Sequence, residues 1–228
     1  MRFFVLLFPL LAACTVDHAL VRRTEAELER MRKNFKAQEG PPADDASVPL
    51  PWTKGQFAVW AIREGDDTTL TSVRIEDADE EAAIVMLTTV NPRVRTTARL
   101  TFTRQPHSLA EARDYLTQII RRRGEEREMT YRFHKDMHTE MRDALEPLWG
   151  TLVPEKIEGP REVATTTTAT MEGCQPAKGQ FVFSPVGLEV RGLLHPAVPI
   201  TGLVTGKATT GQTIELVEAG WGGGGPAL

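Results

Sequence analysis

An α+β fold is predicted for this chain: a predominantly antiparallel, curved β-sheet with one or two covering helices, preceded by an N-terminal helix. Three observations predict it. Between residues 57 and 103, four segments are strand-like in composition and alternation, and short turn-forming stretches separate them. Two amphipathic helical patterns follow, at 108–120 and 136–145. Beyond Gly150 the strand pattern returns. Parallel neighbours would need crossovers of about a dozen residues, which these connections are too short to supply, so the strands must pair antiparallel.

At the N-terminus, Arg2 carries one positive charge, residues 3–13 carry none, and the stretch ends in Leu11-Ala12-Ala13-Cys14. A membrane-spanning helix needs about 20 apolar residues, whereas polar Thr15, Asp17 and His18 follow the cysteine at once. Residues 1–13 therefore read as a signal peptide that is removed. Leu11-Ala12-Ala13-Cys14 resembles the lipobox of bacterial lipoproteins. The resemblance implies cleavage before Cys14 and attachment of about three acyl chains there, where one myristoyl chain already gives an association constant near 10⁴ M⁻¹. It makes a membrane the expected partner and the cell envelope the expected location. By the sorting rule of enteric bacteria, Thr15 after the cysteine implies the outer membrane, facing the periplasm.

From Asp17 to Gln38 there is no Pro or Gly, and Val21, Thr24, Leu28, Met31 and Phe35 recur at steps of three and four. This is an amphipathic helix with a charged outer surface, in which Glu29 and Lys33 are spaced for an i,i+4 pair. Under three heptads is short for an independent coiled coil, so the stripe is expected to pack on its own domain. Residues 39–51 hold four prolines, a glycine and two aspartates and form a linker. Residues 52–228 remain as one β-rich globular domain, long enough to bury a sizeable core.

Within that domain, strands are expected at 57–62, 69–76, 82–90 and 94–103. The last has the cleanest alternation, with Val94, Ala98, Leu100 and Phe102 inward and Arg95, Arg99 and Thr101 outward. Ser108 and Glu111 form a capping box opening a helix with Leu109, Ala112, Leu116, Ile119 and Ile120 on one face. Arg121-Arg122-Arg123 before Gly124 suits the negative end of that helix. A second helix is expected at 136–145, with Met137 and Met141 on one side and Pro147 as its stop. The threonine-rich 162–171 alternates as a strand, and further strands fall at 180–184, 188–194, 200–205 and 213–217. Lys54-Gly55-Gln56-Phe57 and Lys178-Gly179-Gln180-Phe181 each read as a strand start. The tail from Trp221 onward is expected to be disordered.

The order of helix, antiparallel strands, helices and further strands resembles, in element order alone, the half-barrel proteins that carry lipoproteins to the outer membrane. No binding residue matches theirs, and a shared architecture does not establish a shared function.

Composition argues against nucleic acid as a partner. Removing residues 1–13, which hold one Arg and no acid, takes the net charge from −4 to −5. Of two cysteines Cys14 is assigned to lipid, so Cys174 has no intrachain disulfide partner. Its neighbours Glu172, Gly173, Gln175 and Pro176 supply no cation or base, so it reads as a structural thiol.

Catalytic signatures are mostly missing. His134 and His138 are spaced to share a helix face, with His107, His195 and Cys174 as candidate further ligands, but no glutamate follows His134 as in a zinc-protease helix. The Gly202–Ala208 stretch has three residues between its glycines and Ala208 where a phosphate loop has Ser or Thr. No serine lies in a Gly-x-Ser-x-Gly elbow. The expected function is therefore non-catalytic and needs no cofactor. It is the binding of an apolar ligand, a lipid or acyl chain, or of an envelope partner, with Met137 and Met141 lining an adaptable surface. The alternatives are a metal-dependent enzyme built on His134 and His138 and a structural adaptor acting through helix 17–38. A cavity between sheet and helices, converging histidines and acids, or an exposed stripe on that helix would respectively mark the three.

Overall fold

Alternation along the first strands produces a meander. In the computed structural model, which describes residues 16–35, 50–134, 139–153, 155–158, 171, 174–184 and 186–222, the chain enters through helix α1 (His18–Asn34). Strands β1 (Gln56–Glu64), β2 (Asp67–Ala78), β3 (Ala83–Val90) and β4 (Arg95–Phe102) then pair one after another. Helix α2 (Leu109–Tyr115) leads into β5 (Leu116–Arg123) and β6 (Met129–Arg132). Helices α3 (Thr139–Ala144) and α4 (Glu146–Trp149) and the 3₁₀ turn Gly150–Leu152 follow. The second half contains β7 (Glu155–Glu158), β8 (Gln175–Ser184), β9 (Val186–Leu194), β10 (Leu203–Ala208) and β11 (Thr213–Trp221).

Strand β11 returns to pair with β1. The eleven described strands thus form one sheet in the order β6-β5-β4-β3-β2-β1-β11-β10-β9-β8-β7. Pairing is antiparallel throughout, and the sheet is curved and unclosed. The expected α+β architecture is therefore present.

Strand β1 lies at the centre and is buried on both faces, because successive side chains point opposite ways. Ala58, Trp60 and Ile62 enter the larger core with Leu100, Phe102, Ala112, Trp149 and Leu152. Trp60 Nε1 donates to the Leu203 carbonyl at 2.9 Å, and Trp52 meets Phe102 edge-on with ring centroids 6.0 Å apart. Phe57, Val59 and Ala61 point the other way and pack with Leu28 and Met31 of α1. A bulge in β11 sets Val59 opposite Glu218 and Trp60 opposite Leu216, and Val217 joins the α1 cluster. Leu50 is buried and its carbonyl accepts from Gln105 Nε2, so packing includes the last residues of the expected linker. Residues 39–49 lie outside the described residues.

Several expectations are corrected. The helix expected at 108–120 is α2 alone; from Leu116 the chain is strand β5. Its capping box is present, since Ser108 Oγ accepts from the Glu111 N–H at 3.1 Å. The error has a cause in local geometry. A bulge sets Thr101 opposite Gln118 but Phe102 opposite Leu116, which leaves Thr117 as an extra residue. Leu116 and Ile119, three apart, therefore face one core, and with Ala112 they imitate helical spacing. The triple arginine accordingly ends a strand rather than a helix. Gly124, at φ +53°, forms the following turn and donates to the Arg95 carbonyl at 2.7 Å.

The helix expected at 136–145 is present as α3 over its described residues, but Pro147 lies inside the first turn of the following α4 instead of stopping a helix. Trp221 is not in a disordered tail: it pairs with Gln56 at the end of β11. The Lys178–Phe181 segment lies within β8 rather than at its start, whereas Gln56 does open β1. Residues 136–138, most of 162–171 and 223–228 lie outside the described residues.

Candidate functional site: a groove between α1 and the sheet

Helix α1 is fixed at its start by Asp17. The carboxylate accepts from the N–H groups of Ala19 at 2.9 Å and Leu20 at 3.1 Å, capping the helix, and the Asp17 N–H donates to the Pro92 carbonyl in the β3–β4 turn. Thr24, Leu28 and Met31 are buried against the sheet, so the stripe is not the exposed surface that the adaptor alternative requires. Burying Leu28 and Met31 contributes about 1.5–3 kcal/mol each before ordering costs. An ion pair from Arg32 to Glu215 of β11 ties down the far half of the helix.

Between α1 and strands β2 to β4 lies a groove of about 510 Å³, within the usual size range of small-molecule sites. Leu70 and Val90 are cross-strand partners forming the floor, and Leu20 and Ala26 form the helix wall. The charged lining consists of Arg23, Glu27, Arg30 and Arg95. Glu27 accepts from Arg30 Nε at 2.9 Å, and this hydrogen bond holds its carboxyl below its ordinary pKa. Beyond Arg30, burial raises the Glu218 carboxyl above its ordinary pKa, opposed by the Arg30 charge and reinforced by Glu27. Among the described residues Arg23 and Arg95 form no salt bridge.

A second cleft of about 290 Å³ adjoins Arg95 and is lined also by Thr97, Arg122, Gly124 and Glu125. Thr97 and Arg122 are cross-strand partners, and Arg95 shares their face because it lies two residues before Thr97.

The residues singled out in the sequence do not form one site. Cys14, Met137 and His138 lie outside the described residues. Met141 is on α3 and is 43% exposed. His134 is exposed, and its carbonyl accepts from Arg142 Nη2 at 3.1 Å. His107 is exposed, and its N–H donates to Glu111 in the cap of α2. His195 Nδ1 accepts from the Ala197 N–H at 3.1 Å, and burial lowers its pKa. Among the described residues no three His, Cys, Asp or Glu side chains converge on a point where a metal could sit.

Cys174 is buried in the larger core, and its thiol donates to the Met171 carbonyl at 3.6 Å. The Cys174 thiol of the native protein is therefore expected to resist maleimide and to react once the chain is denatured without reduction. Rapid labelling of the folded chain would contradict this burial.

Sequence reasoning missed the groove. It placed Arg95 correctly on the outer face of β4, but nothing local puts α1 over Leu70 and Val90. No known family matches this chain, and no curated protein matches it.

Proposed function

We propose that this protein is a membrane-anchored lipoprotein of the cell envelope that binds an apolar ligand, a lipid or an acyl chain, without catalysing a reaction. Anchoring rests on the lipobox residues Leu11-Ala12-Ala13-Cys14, and Thr15 favours the outer membrane, facing the periplasm. The observation that supports ligand binding is the groove beneath α1, where half-buried Leu20 and exposed Ala26 stand above buried Leu70 and Val90 beside charged walls. Each methylene moved from water into such a groove contributes about 0.8 kcal/mol.

The two halves of the reading are tested separately. Cys14→Ala is expected to abolish incorporation of labelled palmitate and to block processing at this site; equal labelling of both forms would refute the anchor. For the ligand, the lipid fraction that copurifies with the detergent-extracted protein is identified by mass spectrometry. A stoichiometric acyl species is expected, and reproducible absence of any would remove the binding role.

A further inference from the structure

We infer that the groove under α1 and the adjoining cleft form one site for an anionic amphiphile, with the acyl chain along Leu20 and Ala26 above the buried Leu70–Val90 pair and the head group held by Arg95 and Arg122. The inference rests on the proposed binding of an acyl ligand and adds the head group and its receptor.

Strand register carries the argument. Leu70 pairs with Val90, and Val90 with Arg95, so a row across β2, β3 and β4 reads apolar, apolar, cation. The groove therefore ends at a guanidinium. Arg95 is also the residue that both depressions share, and across the second one Arg122 is the next cation. Neither makes a salt bridge among the described residues, in contrast with Arg99 on the same strand, whose Nε donates to Glu76 at 2.8 Å. Among the described residues Glu125 is the one acid lining the second cleft, so two guanidinium groups there face a single carboxylate. Arginine presents a planar fork of donors that matches a carboxylate or a phosphate equally well and stays charged at every physiological pH.

The position of the site fits a ligand drawn from a bilayer. Asp17 is held at the β3–β4 turn, and Cys14 precedes it by three residues, which span at most about 11 Å. A lipid on Cys14 would thus hold the Arg95 end of the groove close to the membrane surface.

The test uses the full chain, purified in a non-ionic detergent, and a C16 fatty acid carrying a diazirine and an alkyne, beside its methyl ester. The acid is expected to photolabel α1 or the β3–β4 segment saturably, and the ester about tenfold less well, about 1.4 kcal/mol, since it offers the guanidinium groups no charged acceptor. In Arg95→Gln/Arg122→Gln the acid should fall to the level of the ester, with the thermal transition unchanged. Ala26→Trp, which fills the groove from an exposed helix position, should lose labelling by both probes. Competition with unlabelled oleate and lysophosphatidate then separates a carboxylate head from a phosphate head, and tighter competition by either supports the site. Equal labelling by acid and ester, unaffected by the arginine variant, would overturn the head-group site while leaving acyl binding intact. Labelling that survives Ala26→Trp would place the ligand elsewhere. No saturable labelling by either probe would remove the binding function itself.

Discussion

Leu100→Asp is expected to cost several kcal/mol and leave little folded protein at 37 °C. Leu100 is fully buried at the centre of the larger core, paired with Val85 on one side and Ile119 on the other. A carboxylate there would have no hydrogen-bonding partner, and an uncompensated buried charge is among the few single changes that approach the 5–15 kcal/mol stability of a whole domain. Its neighbour provides the comparison. Arg99 points to the opposite face and pairs with Glu76, both side chains being over a third exposed. Arg99→Asp should therefore cost only about 1 kcal/mol. Urea denaturation of both variants decides the matter: similar losses would mean that β4 is shifted by one residue, since such a slip exchanges its two faces.

Gly192→Ala is the second change expected to be severe, at about 3 kcal/mol or more, through a backbone clash rather than a buried charge. Gly192 of β9 pairs with Gly206 of β10. A Cβ at 192 would lie 2.1 Å from the Thr205 carbonyl oxygen and 2.9 Å from the Gly206 Cα, and backbone cannot rotate away as a side chain can. Strands β9 and β10 would have to separate. Gly211 isolates the other kind of glycine requirement: its φ is +99° but nothing lies within 4 Å of a Cβ built there. Gly211→Ala should cost about 1–2 kcal/mol, from backbone strain alone. Thermal melts combined with amide exchange along β9 and β10 distinguish the two. Equal exchange in the wild type and Gly192→Ala would argue against this close approach.

Much of the first half was legible because its signals are local. The alternation of β4, the cap formed by Ser108 and Glu111, and the stripe Thr24-Leu28-Met31 each depend on residues at most a few positions apart. Strand β5 was misread for a related reason. Its bulge at Thr117 replaces a spacing of two by one of three, and only pairing with β4 reveals it. Likewise, Ile200 adopts φ +74° and Gly202 φ +71°, so the strand expected at 200–205 begins instead at Leu203. The prolines at 196 and 199 marked an irregular approach but not where pairing would resume.

By itself the sequence determined the α+β class, the antiparallel pairing of β1 to β4 and the apolar face of α1, because hydrophobic period and turn chemistry act over a few residues. Tertiary structure decided that β11 returns to β1, that α1 lies on the outer face, and that Leu70, Val90 and Arg95 align beneath it. Those positions come from segments tens of residues apart. Their meeting is fixed by which faces must be buried together and by strand register, quantities that no local spacing encodes.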